Sequence, residues 1–247
     1  MEKTTQPALA VKNLTHRYTT GLRRQTTVLH NINFEVITGE LVSFIGVNGA
    51  GKTTLLKTLV GITKPSRGQI QVFGQDLNRP TARQTIGFMP ESPAFYDNIS
   101  ARQFLLAVGG MFGLAKDISR QRATDLLLEV RLEHNDRQAI RTFSKGMRQR
   151  LGFAQSLMGE PKLLFLDEPL DGLDPLGRIE LKQSIIKRQQ AGLTVVLCSH
   201  ILSDIAQMSD RIGIINRGQL LHLASTNSFT KGKDLEQAFV DYITPKL

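Results

Sequence analysis

Short apolar runs alternate along this chain with stretches of helical spacing. The runs at residues 41–45, 163–166 and 193–198 are apolar at nearly every position, which is typical of strands buried on both faces. Residues 53–60 and 179–190 instead repeat their apolar positions at the period of a helix. Strands that alternate with helices favour an α/β fold built on a mainly parallel sheet.

The N-terminal part of the chain has a different pattern. Residues 8–14 alternate in part between apolar and polar positions and residues 31–36 alternate cleanly, so both are predicted strands. The polar, basic stretch between them, residues 19–27, is predicted to be a hairpin loop. Residues 69–74 and 85–89 predict two further short strands. We therefore expect an N-terminal antiparallel β region beside the parallel core.

The middle of the chain predicts an inserted helical segment. Residues 104–108 and 123–130 have helical spacing, and Gly109, Gly110 and Gly113 separate them. We therefore predict a single domain over residues 1–247. Its α/β core covers about 1–91 and 159–247, and its helical subdomain covers about 92–158.

The C-terminal part predicts a hairpin and a last helix. Residues 211–216 and 219–223 are two strand-like runs joined by a tight turn at Arg217 and Gly218. Residues 234–242 then have the spacing of an amphipathic helix. Both elements would close the α/β core.

Composition excludes several classes of protein. The 247 residues are 40% hydrophobic and 21% charged, as in globular proteins rather than disordered ones. No apolar run approaches the roughly 18 to 20 residues of a membrane helix, and the N-terminus lacks the apolar centre of a secretory signal. A single cysteine, Cys198, excludes an internal disulfide and fits a reducing compartment. The net charge of +9 is compatible with nucleic acid, an anionic membrane surface or an acidic partner, and it does not choose among them.

Residues 46–53, Gly-Val-Asn-Gly-Ala-Gly-Lys-Thr, fit the P-loop pattern G-x-x-x-x-G-K-[ST]. A predicted strand precedes them and a predicted helix follows, which is the context that the pattern requires. Glycines let backbone N–H groups approach a polyphosphate, and the helix N-terminus adds donors and a positive dipole end. Lys52 is placed to reach the β- and γ-phosphates, and the Thr53 hydroxyl is placed to bind Mg²⁺.

Acidic residues end the apolar run at residues 163–166. In a P-loop sheet, an acidic residue that ends a strand beside the P-loop strand is placed to hold Mg²⁺, usually through water, and Asp167 has this position. Glu168 follows it and is the candidate base or water-positioning residue. His200 follows the next buried run and is a candidate sensor of the γ-phosphate.

Several further motifs resemble those of ATP-binding-cassette (ABC) ATPases. Residues 143–150, Phe-Ser-Lys-Gly-Met-Arg-Gln-Arg, resemble the signature motif of that family, and residues 168–175 resemble its strand-end carboxylate followed by its D-loop. Ser199-His200 is similar to the family's switch histidine, and Tyr18 stands where the family has an aromatic residue that stacks on adenine. The resemblance covers nearly the whole chain, and it implies a P-loop, RecA-like core in one ABC nucleotide-binding domain.

The resemblance also implies a shared site. Members of the family form head-to-tail dimers that hold two ATP molecules between the subunits. One subunit would contribute the P-loop, the metal side and the switch histidine, and the other would cap the γ-phosphate with Ser144 and Gly146. The resulting candidates for ATP binding are Tyr18, Gly46, Asn48, Gly49, Ala50, Gly51, Lys52, Thr53, Thr54, Ser144, Gly146 and Asp174; the catalytic candidates are Lys52, Glu168 and His200.

Two departures from the common family pattern point to a subgroup. The signature contains Lys145 and Met147 where Gly and Gln are usual, and Lys145 is expected to offer its charge to phosphate. Glu91 occupies the place of the Q-loop glutamine and is a third candidate for Mg²⁺, through water. Both features resemble the ATPase subunits of ABC-2-type exporters.

Three functions fit these residues to different degrees. The favoured one is the ATPase subunit of a membrane transporter, with ATP and Mg²⁺ as ligands, an integral membrane permease as partner, and a second nucleotide-binding subunit, identical or different. It would lie at the cytoplasmic face of the inner membrane as a peripheral subunit, and no specific nucleic acid is expected. A soluble ABC ATPase that acts on ribosomes or nucleic acid is favoured only by the net charge of +9. A metabolic P-loop kinase would leave residues 143–150 without a role.

Overall fold

The computed structural model describes residues 7–20, 24–230 and 234–243. The first of its two sheets is antiparallel and lies at the N-terminal side of the molecule, as the alternating residues predict. Its strand order is β2-β1-β4-β5. The strands are β1 (Pro7–Thr20), β2 (Arg24–Ile37), β4 (Arg67–Val72) and β5 (Gln75–Asp76).

The hairpin between β1 and β2 is tighter than predicted. Thr19 pairs with Gln25 and Tyr18 with Thr26, so both strands extend into residues 19–27, which had been expected to form a loop. The β-branched threonines in this stretch favour extended structure, and their polarity does not prevent it at a sheet edge. Residues 21–23 lie outside the described residues.

The second sheet has six strands in the order β10-β9-β3-β8-β7-β6. Neighbouring strands are parallel except for the antiparallel hairpin of β9 and β10, which confirms the mainly parallel core and the closing hairpin. The strands are β3 (Leu41–Ile45), β6 (Ile86–Met89), β7 (Leu163–Asp167), β8 (Thr194–Cys198), β9 (Arg211–Asn216) and β10 (Gln219–Ser225).

Residues 101–157 contain three α-helices and two short 3₁₀ turns. The helices are α3 (Ala101–Met111), α4 (Lys116–Glu129) and α5 (Lys145–Leu157). The prediction that Gly109 and Gly110 interrupt the helical stretch is wrong, because both lie inside α3. A Cβ on Gly109 would come within 2.2 Å of the Ser119 hydroxyl oxygen on α4, so this glycine lets the two helices approach closely. Gly113, with φ of 72°, follows the end of α3.

Six further helices lie outside residues 101–157 in the described part of the chain. No helix among the described residues is long and apolar enough to cross a membrane. The predicted last helix is confirmed as α9. These helices are α1 (Lys52–Leu59), α2 (Pro80–Arg83), α6 (Pro175–Gln190), α7 (Leu202–Met208), α8 (Thr226–Thr230) and α9 (Leu235–Ile243).

The central strands β3, β7 and β8 are buried at every position, as their continuous apolar runs predict. Their side chains alternate between two cores. Leu164 and Leu166 join a core with the helices of residues 101–157, whereas Leu163 and Phe165 join a core with α1 and the N-terminal sheet. Full burial of one such side chain contributes about 1.5–3 kcal/mol, so this double packing fixes the strands and the loops that leave them.

The carboxyl ends of β3, β7 and β8 meet at one edge of the sheet. Asp167 was expected to end a strand directly beside the P-loop strand, and this is wrong, because β8 lies between β7 and β3. Asp167 and Phe44 are both level with Cys198 of β8. Two strand spacings of about 4.8 Å therefore separate the acidic end of β7 from the loop after β3. Chain order does not fix this arrangement, since β8 comes from residues far downstream.

Candidate functional site

Residues 46–51 form a loop that connects β3 to the N-terminus of α1. Gly49 and Gly51 have φ of 79° and 108°, which side chains disfavour. Gly46 has no room for a side chain, because a Cβ there would lie 2.2 Å from the Ile215 carbonyl oxygen. Gly51 is the N-cap of α1, and no side chain caps the helix. The first-turn N–H groups are therefore free of side-chain acceptors and suited to an anion.

Lys52 curls back over this loop. Its side chain is buried, and Nζ donates to the carbonyl oxygens of Gly46 at 2.8 Å and Val47 at 3.4 Å. The ammonium group therefore lies inside the loop, where Lys52 is predicted to contact a bound phosphate. A phosphate bound by the α1 amides would replace these neutral acceptors with a charged one, which makes a stronger hydrogen bond.

The turn between β9 and β10 supports the loop from outside. Gly218 N–H donates to the Ala50 carbonyl at 2.8 Å, and its own carbonyl accepts from His30 N–H at 2.8 Å. A Cβ on Gly218 would lie 1.9 Å from the Val28 carbonyl oxygen. Sequence reasoning identified this Arg217-Gly218 turn only as a hairpin, because its contact with the P-loop is long-range.

Asp167 is the last residue of β7 and is almost fully buried, with 1% of its surface exposed. Its pKa is raised to about 6, chiefly because burial disfavours the charged form; the charges of Glu168 and Glu91 also raise the pKa, whereas the hydrogen bond from Thr53 and the charge of Lys52 lower it. The structure therefore brings Asp167, Thr53 and Glu91 into one electrostatic neighbourhood, and their role in a metal site stays a prediction.

A further observation indicates that the Asp167 carboxylate is suited to bind a magnesium ion. Its Oδ1 atom is buried and accepts no hydrogen bond from the described residues. Such an orphaned oxygen beside the Thr53 hydroxyl is the oxygen donor set that Mg²⁺ prefers. No group of three or more His, Cys, Asp or Glu side chains in the described part of the chain can hold a metal by itself. Mg²⁺ commonly takes one or two protein carboxylates and completes its shell with phosphates and water.

Glu168 has an unusual backbone and a fixed side chain. Its φ of 48° lies in the left-handed region, which costs a non-glycine residue about 1–2 kcal/mol. Its carboxylate Oε2 accepts from His200 N–H at 3.2 Å and from His200 Nδ1 at 2.8 Å. Backbone strain of this kind is concentrated at functional sites. Glu168 and His200, both predicted catalytic residues, are thus in direct contact.

The residues of the signature motif surround the start of α5. Ser144 is exposed and is the N-cap of α5, where its hydroxyl accepts from Met147 N–H at 3.2 Å. Lys145 was expected to offer its charge to phosphate, but its Nζ donates to Asp171 Oδ2 at 2.7 Å. That hydrogen bond lowers the pKa of Asp171. A Cβ on Gly146 would lie 3.4 Å from the Gly172 carbonyl oxygen, so the motif packs against residues 171–173.

Tyr18 and Asp174 are placed by local structure. Tyr18 lies near the end of β1, 38% exposed, with its ring edge-on to His16 at a centroid distance of 4.6 Å. Asp174 is the N-cap of α6, and its Oδ1 accepts from Gly177 N–H at 2.7 Å. An Asp before Pro175 is a helix-start signal that the sequence carries. Neither side chain is hydrogen-bonded to the P-loop among the described residues, so the roles in ATP binding predicted for both stay predictions.

One buried polar residue was missed by sequence reasoning. Gln149 lies on α5, only 2% exposed, and its Nε2 donates to the Glu168 carbonyl oxygen at 2.9 Å. The sequence places it within the signature-like residues 143–150, which give it no separate role. The available signal was a polar residue at a helix position whose neighbours Leu151, Gly152 and Phe153 are buried.

A P-loop at the edge of a mainly parallel sheet, with an acidic strand end and an added antiparallel sheet, defines a P-loop nucleotide-binding protein. Comparison with known proteins narrows this class. A family model described as ABC transporter matches residues 29–171. The chain belongs to the ABC transporter ATP-binding family and is an ATP-binding protein.

Named relatives and solved structures agree with this assignment. The chain is 42% identical over 201 residues to the bacitracin transport ATP-binding protein BcrA of Bacillus licheniformis, covering 80% of this chain and 64% of BcrA. It is 37% identical over 235 residues to the lantibiotic transport ATP-binding protein SrtF of Streptococcus pyogenes, covering 95% and 97%. A structure described as the ATP binding subunit of an ABC transporter superposes with a TM-score of 0.87 at 30% identity, covering 96% of this chain and all of that one.

The relatives differ in length from this chain. It spans 67% and 59% of two ABC transporter ATP-binding proteins from Nostoc and Synechocystis, and 64% of BcrA, but 97% of SrtF. The shared part is the nucleotide-binding fold described above.

Proposed function

We propose that this protein is the ATP-hydrolysing subunit of a membrane transporter, of the ABC-2 export type. The observation that carries the proposal is the meeting of three groups at one sheet edge. These are the Thr53 hydroxyl on α1, the orphaned carboxylate oxygen of Asp167, and the Glu168 carboxylate held by His200. A phosphate cradle, a metal position and a general base are the parts that nucleotide hydrolysis needs.

Each residue has a distinct task in this proposal. The amides of residues 46–53 and Lys52 bind the β- and γ-phosphates of ATP. Thr53 and Asp167 would hold Mg²⁺, with Glu91 acting through water, and the ion would neutralise charge on these phosphates. Glu168 orients the attacking water and accepts its proton, and His200 fixes the direction of the Glu168 carboxylate. Tyr18 stacks on the adenine.

The site is proposed to be complete only in a dimer. Ser144 is exposed at the N-terminus of α5, and its neighbours along the same surface are residues 171–173. We propose that Ser144, Gly146 and Asp174 meet the nucleotide of a second subunit, identical or different. Closure would exclude water and assemble the site, and hydrolysis would then favour opening.

A separate permease is proposed as the partner in the membrane, since no described helix of this chain spans one. BcrA and SrtF are named for the transport of bacitracin and of a lantibiotic. We propose that residues from about 92 to 158 form a helical subdomain on the α/β core, and that this subdomain and the Glu91 loop bind the permease. The protein would then lie at the cytoplasmic face of the inner membrane, where its basic surface faces anionic lipid.

The test is affinity purification from detergent-solubilised membranes, combined with an ATPase assay. Tyr96 is 76% exposed in the loop after Glu91, so Tyr96→Ser should lose a multi-span membrane partner while the purified chain still hydrolyses ATP. Ile62→Ser is the matched control, because Ile62 is 59% exposed but follows α1. Recovery of RNA and ribosomal proteins alone would support the soluble alternative and overturn the transporter proposal. Absence of Mg²⁺-dependent hydrolysis would overturn the ATPase proposal.

A further inference from the structure

We infer that Gln149 is a positioning residue for hydrolysis: it holds the backbone of Glu168 and thereby joins the signature helix α5 to the carboxylate of the same subunit. This inference rests on the proposed role of Glu168 as the water-activating base. Gln149 touches neither the nucleotide nor the water in the proposal, and it acts only through Glu168.

The Glu168 backbone is held at both of its polar groups. Its N–H donates to the Cys198 carbonyl at 2.8 Å, and its carbonyl accepts from Asp171 N–H at 3.1 Å and from Gln149 Nε2 at 2.9 Å. The left-handed φ of 48° is unfavourable for Glu, so surrounding contacts must maintain it. Gln149 supplies the contact that comes from the signature helix α5. Without it, the direction of the carbonyl, and with it the side chain, would be less restricted.

A buried glutamine that only satisfies its own amide would need no particular acceptor. Here the contact is accompanied by others between α5 and the segment that follows β7. Lys145 pairs with Asp171, and a Cβ on Gly172 would meet the Lys145 side chain at 2.5 Å. A Cβ on Gly146 would lie in van der Waals contact with the Gly172 carbonyl oxygen, at 3.4 Å. The helix and the segment therefore form one packed unit, in which Gln149 contacts the strained residue.

This unit connects two positions with different tasks. Ser144 is exposed at the start of α5, and Gln149 is buried five residues further along the same helix, about 7.5 Å at the helical rise. A shift of α5 caused by a nucleotide at Ser144 would reach the Glu168 carbonyl through Gln149. The position of α5 would then depend on the nucleotide bound by the partner subunit, and it would affect the orientation of the hydrolytic carboxylate in its own subunit.

The first test replaces Gln149 with Met, which is unbranched and similar in length but has no donor. Gln149→Met should lower kcat by roughly tenfold or more, because small displacements of a catalytic group have large effects on rate. The Kd for ATP should stay within about twofold, since the P-loop is unchanged. Gln155→Met is the matched control, because it makes the same change on the same helix, and it should keep the wild-type kcat.

A second measurement separates positioning from general damage. Gln149→Met in a Glu168→Gln background should give no further loss of the residual single-turnover rate, because the two residues act as a unit. Gln149→Asn keeps a buried amide but shortens its reach, and it should reproduce the loss of kcat. A folded, ATP-binding Gln149→Met or Gln149→Asn protein with wild-type kcat would overturn the inference, as would losses that multiply in the double variant. A wild-type chain without ATPase activity would instead overturn the proposed function.

Discussion

One carboxylate oxygen of Glu168, Oε2, accepts two hydrogen bonds from the same residue, His200. The donors are the backbone N–H at 3.2 Å and the ring Nδ1 at 2.8 Å. Because a carboxylate only accepts, the ring bond places the imidazole proton on Nδ1. His200, the second residue after β8, therefore fixes the side chain of Glu168, the first residue after β7, and this bond also sets the tautomer of His200. The adjacent strands β7 and β8 thus place the Glu168 carboxylate and the His200 imidazole in one hydrogen-bonded pair.

Removing the charge of Glu168 should separate hydrolysis from binding. We expect Glu168→Gln to lower the rate of ATP hydrolysis by roughly a hundredfold or more, which is the usual contribution of a general base. The Kd for ATP in a calorimetric titration should change little, because Lys52 and the loop amides remain. Glu236→Gln, an exposed position on α9, is the control and should hydrolyse ATP at the wild-type rate. Near wild-type phosphate release by Glu168→Gln would refute the role of Glu168.

Removing the buried ammonium of Lys52 should weaken nucleotide binding. A hydrogen bond to a charged group contributes about 1.5–3 kcal/mol, so Lys52→Ala should raise the Kd for ATP by about ten- to a hundredfold. Lys57→Ala changes the same residue type on the same helix, where the side chain is only half-buried, and should leave the Kd within about twofold. Equal affinities for the two variants would count against the assigned position of the phosphates.

Gly218 allows a comparison of two glycines with nearly the same φ. Gly218 and Gly74 have φ of 74° and 75°, but a Cβ would meet Val28 O at 1.9 Å in the first and nothing within 4 Å in the second. Gly74→Ala should therefore cost about 1–2 kcal/mol of unfolding free energy, from backbone strain alone. Gly218→Ala should cost more in urea unfolding and should also weaken ATP binding, because Gly218 supports Ala50. Equal losses in the two variants would mean that the turn does not support the P-loop.

The raised pKa of Asp167 predicts a pH dependence of the metal-free protein. The folded protein holds its proton to about pH 6, whereas the unfolded chain releases it near 3.8, so folding takes up a proton between these values. The stabilisation from this proton is present below pH 3.8 and is lost as the pH rises through 6. Measured with a chelator, Asp167→Asn should gain up to about 3 kcal/mol relative to wild type between pH 4 and pH 7.5. A constant difference between the two proteins would show that the carboxyl titrates normally.

The same unfolding measurement can be made with Mg²⁺ and ATP present in place of the chelator. Because the cation competes with the proton on Asp167, it should stabilise the wild type more at pH 7.5 than at pH 5. Asp167→Asn should lose most of this stabilisation. Equal stabilisation of both proteins by Mg²⁺ and ATP would place the metal elsewhere.

Local sequence patterns were sufficient for the elements of the core. The buried strands β3, β7 and β8 are continuous apolar runs, and the P-loop combines glycine spacing with a lysine and a hydroxyl. The patterns could not predict the order of the strands in the sheet. The position of β8 between β3 and β7 depends on how strands far apart in the chain pair, and no local period encodes that pairing.

In the functional site, too, local patterns predicted some features and missed others. Asp167, Glu168 and His200 were identified because each follows an apolar run, where parallel strands present their ends. The contacts of Gln149 with Glu168 and of Lys145 with Asp171 join residues that are 19 and 26 positions apart, so they became visible only in the fold. Gly109 was read as a breaker, although close helix packing explains a glycine there equally well.

The shared site is tested most directly by the mass of the Glu168→Gln protein in saturating ATP and Mg²⁺, measured by sedimentation equilibrium. Hydrolysis is blocked in this variant, so the closed state should accumulate. We predict the mass of two chains with ATP and of one chain without it, and a single chain when Ser144→Arg is added. Ser100→Arg, which removes the N-cap of α3 instead, should leave the dimer intact. A single-chain mass for Glu168→Gln in ATP, or a dimer that persists with Ser144→Arg, would contradict a nucleotide site completed by Ser144 of a second subunit.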